Sequence, residues 1–170
     1  MDKPCQSITY DGNNNRFAET DYFYDNGSTA SACGTAGTPS VTGVSNLSGH
    51  DETYYGPSAT GSRGNLTQKT QWANTGSSPV TTYTYDETGQ VLSITDPCGN
   101  GTCADMTGTS HITTYSYADS YATGSSTCTT SYGPAGNTNA YLTQVTLPSA
   151  NGVGDSECYS YDYTSGQLTG

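Results

Sequence analysis

Positive charge is scarce in this chain: Lys and Arg number four in 170 residues, against fifteen Asp and Glu, for a formal net charge of -11. So few cations argue against nucleic-acid binding through phosphate contacts and against attraction to an anionic membrane face. Apolar residues are scarce as well. Leu, Ile, Val and Phe together number 17, and no run of them approaches the roughly 20 residues of a bilayer span. No membrane insertion is expected. The N-terminus, Met1-Asp2-Lys3-Pro4-Cys5, has no apolar leader region, so any export signal is expected outside this chain. Low apolar content with high net charge is, taken alone, the composition of a disordered chain.

Catalytic motifs are lacking too. There is no Gly-x-Ser-x-Gly elbow, no paired-His zinc motif and no phosphate loop. Of the two histidines, His50 stands beside Asp51 and Glu52 in a Gly/Ser-rich stretch and reads as part of a solvated turn. His111 reads as an exposed or half-covered ring at the start of a strand. Acidic pairs are numerous, but spacing alone cannot set two carboxylates across a glycosidic bond. Asp96, Asn100, Thr102 and Asp105 offer oxygens close in sequence without the EF-hand or nonapeptide calcium spacing. The Asn-x-Ser/Thr sites at Asn26, Asn46, Asn65 and Asn100 are what chance gives in so Ser/Thr-rich a chain. No catalytic, cofactor or metal residue is assigned, and the chain is expected not to be an enzyme.

Against these absences stand fifteen Tyr and 51 Ser and Thr. Tyrosine rings supply apolar area while their hydroxyls keep a polar end, and Thr suits strand faces. The order is clearest from Thr81 to Asn100. Tyr83 and Tyr85 alternate with Thr82 and Thr84, a strand with one aromatic face. Asp86 ends it. Glu87, Thr88 and Gly89 form a short connection, with Gly89 free to take positive φ where a three-residue loop closes on a bulge. Val91 to Thr95 run back, with Leu92 and Ile94 expected on one face and Val91 and Ser93 on the other, until Asp96-Pro97 stops the strand.

Pieces of this hairpin recur. Tyr22, Tyr24, Asp25 and Gly27 repeat its order, as do Tyr159, Tyr161, Asp162, Gly166 and Leu168 with a turn one residue longer; Tyr115 and Tyr117 form a weaker version before Asp119. Return strands recur at Leu66–Thr70 and Leu142–Thr146, and Leu66 to Tyr83 and Leu142 to Tyr159 are both 17 residues. The pattern of Tyr-x-Tyr-Asp, a short gap, Gly, a Leu or Val strand and then Thr-Asp-Pro-x-Gly resembles the YD repeat of the Rhs family. Tyr83 to Gly99, with Leu92, Asp96 and Pro97, match it almost throughout, and the other units match in part.

The resemblance implies an all-β array of antiparallel hairpins in a curved, extended sheet, part of a hollow shell that encloses or displays a C-terminal, toxin-type domain. It implies secretion or a cell-surface location, and as partners the remaining repeats and contents of a longer chain. Rhs shells often end in an Asp-Pro-x-Gly self-cleavage site. Asp96-Pro97-Cys98-Gly99 lacks the context of that site and is followed by further repeats, so Asp96 receives no protease role. Residues 1–60 read as a degenerate repeat, including Ile8 to Gly12, followed by a Gly/Ser/Thr-rich insertion with edge strands expected near Val41–Leu47. Residues 61–170 read as YD-like hairpins, the last incomplete, as in a slice of a longer protein.

A secreted adhesin or carbohydrate-binding module is the competing reading, with Tyr22, Tyr54, Tyr55, Tyr132 or Trp72 stacking on sugars; as a structural residue, Trp72 would instead cover the apolar face. The six cysteines, 5, 33, 98, 103, 128 and 158, leave three readings open, free thiols first, then a local Cys98–Cys103 disulfide, then a zinc half-site with His111.

Overall fold

The computed structural model describes residues 3–27, 37–101, 110–119, 137–150 and 152–170. Eight strands make one open antiparallel sheet: β1 (Gln6–Tyr10), β2 (Arg16–Tyr24), β3 (Leu66–Gln71), β4 (Val80–Tyr85), β5 (Val91–Thr95), β6 (Ile112–Ser116), β7 (Gln144–Thr146) and β8 (Ser156–Cys158). Their spatial order is their chain order, so every neighbour in the sheet is a neighbour in sequence. A two-stranded hairpin, β9 (Tyr161–Asp162) with β10 (Gln167–Leu168), follows. The single described helix, α1 (Glu52–Tyr55), is one turn capped by the Asp51 carboxylate. The architecture is the all-β, antiparallel hairpin array expected from the tyrosine pattern.

One register recurs through the sheet. Tyr85 opposes Val91 and Tyr24 opposes Leu66, each beside a bulge that skips the next residue of the return strand, so that Thr84 meets Ser93 and Phe23 meets Gln68. On β6 and β7, Ser116 meets Gln144, and the Thr143 amide bonds the Ser116 carbonyl at 2.8 Å. At the bulge itself Thr67 and Thr143 turn their hydroxyls onto the carbonyls of Phe23 and Ser116. The other edge of each return strand repeats too: Gln68 pairs with Thr82, Ser93 with Thr114 and Gln144 with Cys158, always the residue before a signature tyrosine. The 17-residue spacing is therefore the length of the connection that delivers this register; from Val91 to Tyr115 the same register is reached over 24 residues.

The bulge changes one expectation. Residues directly opposed in an antiparallel pair share a face, so Val91 joins Ile94 on the side of Tyr85 and Tyr83. Simple alternation fails because the bulge adds a residue to the return strand. Nor does the segment from Val41 to Leu47 form an edge strand. It makes single parallel bridges, Thr42 to Asp86 and Leu47 to Asn137, and lies across the strand ends instead of along the sheet.

The interior is unusual in composition. Phe23 is the one buried hydrophobic side chain among the described residues, whereas Asp25, Asp86, Glu87, Asp119, Asn139 and Thr143 are buried. A single layer of strands leaves tyrosine faces half covered; the full enclosure lies where loops fold over one end of the sheet.

Candidate functional site

In a meander the strand connections alternate between two ends. The turns that follow Asp25, Asp86 and Asp119 share one end, and that end holds the polar interior. Asp86 sets the pattern. Its Oδ1 accepts bonds from the Thr88 and Gln90 amides and the Thr88 hydroxyl at 2.7–2.9 Å, while Gly89 takes φ +89°. Asp25, 1% exposed, does the same work across a long insertion. Its carboxylate accepts from the Ser62 hydroxyl and from the amides of Arg63, Gly64 and Asn65 at 2.7–3.0 Å. Gly64, at φ +73°, thus stands just before the return strand, while Gly27 only closes a local turn onto Tyr24. Burial alone would raise the Asp25 pKa, but the Ser62 hydroxyl and the amides of Gly64, Asn65 and Arg63 together hold it below the ordinary carboxylate value. Asp119 accepts from the Thr138 amide and hydroxyl. Asp162 accepts from the Thr164 and Ser165 amides, with Gly166 at φ +74°.

A further hairpin of the same kind stands where the sequence reads only as a degenerate strand and turn, Ile8 to Gly12. Asp11 accepts from the Asn13 and Asn15 amides at 2.8 Å, Asn14 sits at φ +64°, and Tyr10 opposes Arg16 beside a bulge. Asn14 takes the place of Gly89, since Asn is among the few residues that enter the left-handed region readily. An Asp followed three residues later by Asn or Gly is the signal that identifies it as a full unit.

Over the end that holds the Asp25 and Asp86 turns fold residues 38–61. Arg63 fixes them by donating to the carbonyls of Tyr55, Gly56 and Glu87. A cavity of about 580 Å³ lies there, lined in part by His50, Tyr55, Arg63 and Glu87. His50 is not a solvated turn residue: its side chain is 15% exposed. Its Nδ1 lies 3.2 Å from Glu52 Oε1 and 4.0 Å from Glu87 Oε2, because α1 turns Glu52 back toward the hairpin loop that carries Glu87. Glu87 is 2% exposed. Its Oε1 accepts from the Val44 amide, while its buried Oε2 has no hydrogen-bond partner.

The opposite end holds the strand terminator. Asp96 Oδ1 accepts from the Cys98 and Gly99 amides at 2.8 and 3.0 Å, the turn that Pro97 opens, and Oδ2 lies 3.1 Å from His111 Nδ1. Burial acts to raise the Asp96 pKa, but the Gly99 amide, His111 and the Cys98 amide hold it below the ordinary value. Cys5, Cys98 and Cys158 are disulfide-bonded, which corrects the free-thiol reading. It also removes the thiolate that a zinc half-site with His111 requires. Cys103, Thr102 and Asp105, named with the disulfide and calcium readings, lie outside the described residues.

Every signature tyrosine, Tyr22, Tyr24, Tyr83, Tyr85, Tyr115, Tyr117, Tyr159 and Tyr161, is half-buried. Burial raises the phenol pKa of Tyr24, Tyr83, Tyr85 and Tyr117. Tyr85 donates to the Leu66 carbonyl and Tyr24 to the Pro4 carbonyl, each reaching over a neighbouring strand. Tyr141 stacks on Tyr161 at 4.7 Å and tethers the last hairpin, whereas Leu168, opposite Tyr161, is exposed. Trp72, at the end of β3 away from the Asp25, Asp86 and Asp119 turns, lies under the Arg16 guanidinium at 4.2 Å. The exposed Tyr54 and Tyr55 are on α1 at the other end. Tyr132 lies outside the described residues.

Residues 62–100 match the family model described as RHS Repeat. The match opens on Ser62, the first of the residues that bond the Asp25 carboxylate, and runs through β3, β4 and β5 to the Asp96 turn. No curated protein and no solved structure matches the chain.

Proposed function

We propose, from the match of residues 62–100 to the RHS Repeat model, that this chain is a non-catalytic wall segment of an Rhs/YD-repeat protein: hairpins that, joined to neighbouring repeats of a longer chain, enclose or display a C-terminal polypeptide of toxin type. The observation that carries this reading is the shared register. Gln68–Thr82, Ser93–Thr114 and Gln144–Cys158 are one geometric step repeated, and such a step extends a sheet without limit. The strands at the two borders, β1 and β8, are where further hairpins add. The wall acts passively, through cross-strand pairs and half-buried tyrosines that exclude solvent and protease from what lies behind. Secretion or cell-surface display accords with the disulfide-bonded Cys5, Cys98 and Cys158.

Protease protection of the native gene product tests the proposal. The coding sequence on both sides of this chain should continue into Tyr-x-Tyr-Asp units. The region after the repeats should resist proteinase K in the intact protein at doses that degrade it when expressed alone. A gene without further repeats, or a following region cut equally fast in both forms, overturns the reading.

A further inference from the structure

Buried carboxylates are costly unless each oxygen is satisfied. Asp25 and Asp86 meet that condition with hydroxyls, amides and an Asn side chain. Glu87 does not. The Val44 amide holds its Oε1, which leaves Oε2 buried, without a hydrogen-bond partner and turned toward His50. Glu52 Oε1 lies 3.2 Å from the same imidazole nitrogen. Three donor atoms of different residues, one imidazole nitrogen and two carboxylate oxygens, thus lie within 4.8 Å of one another beside a cavity.

We propose that His50 Nδ1, Glu52 Oε1 and Glu87 Oε2 form a divalent-cation site of the zinc type, which clamps the segment carrying α1 onto the hairpin turn after Asp86. The donor set is the one such ions take: neutral imidazole with carboxylates, the remaining positions left to water. Bonds of about 2.0–2.2 Å to a tetrahedral ion place neighbouring donors roughly 3.3–3.5 Å apart. The separations from Nδ1, 3.2 and 4.0 Å, need only a small inward shift of Glu87. Two carboxylates supply the charge that the ion neutralises. The guanidinium of Arg63, the cation nearest this cavity, is committed to the carbonyls of Tyr55, Gly56 and Glu87. His50 also packs edge-on against Tyr55, ring centroids 6.5 Å apart, which limits rotation of the imidazole. The site owes nothing to the tyrosine signature and does not depend on the wall proposal.

The test is calorimetric titration of the full 170-residue chain with zinc chloride, repeated with cobalt(II) to read its visible absorption, alongside H50A, E52Q and E87Q. The expected result is one ion per chain, with affinity falling at least roughly tenfold in each variant. In nitrogen-15 spectra the His50 Nδ1 signal should move on zinc addition while that of His111 stays. If Glu87→Gln does not fold, the variants at the two less buried positions, His50→Ala and Glu52→Gln, carry the test. Absence of binding, affinity unchanged in His50→Ala and Glu52→Gln, or a His50 Nδ1 that keeps its proton in saturating zinc, as a plain His–Glu hydrogen bond requires, overturns the site.

Discussion

The side-chain amide of Asn139 donates to Asp86 Oδ2 at 2.7 Å across 53 residues of sequence. The bond links the turn of one hairpin to a residue of the connection that leads into the next return strand, and both partners are buried. Gln90 closes the contact from the other side, donating to the Asn139 carbonyl at 2.8 Å. Adjacent repeats are thus tied by buried polar groups at their turns, where a globular domain would use apolar side chains.

Replacing Asn139 by Ala should remove about 1.5–3 kcal/mol of stability, since a buried charged acceptor loses a partner. In a double-mutant cycle with Asp86→Asn, urea denaturation should show a coupling of at least ~0.5 kcal/mol. Additive effects would mean that the two hairpins are independent.

Acid should unfold the protein through its turn aspartates. The pKa of Asp25 is lowered in the folded state from the ordinary 3.8. Its contribution is therefore fully present above the unfolded pKa and is lost as pH falls through the lower folded value. Asp11, Asp96 and Asp162 shift in the same direction. Stability measured by urea titration should hold level above about pH 5 and decline below about pH 4. Asp25→Asn should be less stable at neutral pH and show a shallower decline; an unchanged acid limb would contradict the assignment.

At the alkaline side the sign reverses. The raised phenol pKa values of Tyr83, Tyr85 and Tyr117, above the ordinary 10.0, give stability that is present below the unfolded value and lost as pH rises through the folded ones. Tyr85→Phe should flatten the loss above about pH 10 while costing the hydrogen bond to the Leu66 carbonyl. Absorbance at the phenolate band during the titration checks it.

Gly89 gives a purely conformational test, because a Cβ built there meets nothing within 4 Å. At φ +89°, Gly89→Ala should cost about 1–2 kcal/mol. Gly89→Asn should cost less, since Asn14 holds the matching place in the Asp11 turn at φ +64°. Thermal melts of the two variants decide the order.

The β4–β5 hairpin was legible in the sequence because its loop is three residues long, so strand, Asp, Gly and return strand fall within one window. The Asp25 unit was only half legible. Its return strand lies beyond a polar insertion without periodicity, and nothing local says that Ser62 to Asn65 bond the Asp25 carboxylate. The 17-residue spacing could be read because two connections have equal length; the connection from β5 to β6, seven residues longer, hides the same register. Of the His50–Glu52–Glu87 cluster only the local half was legible: His50 beside Glu52 could be read, as a solvated turn, but not the approach of Glu87. Burial of a Glu in a hairpin turn runs against the usual exposure of charge, and only the fold-back of residues 38–61 brings His50 to it.

Cryo-electron microscopy of the native gene product that contains this chain tests the central claim most directly. The wall account predicts that β1 and β8 are each paired to a further hairpin in one continuous sheet, and that separate polypeptide density lies on its covered side. A particle in which β1 and β8 border solvent, with no enclosed polypeptide, would contradict it.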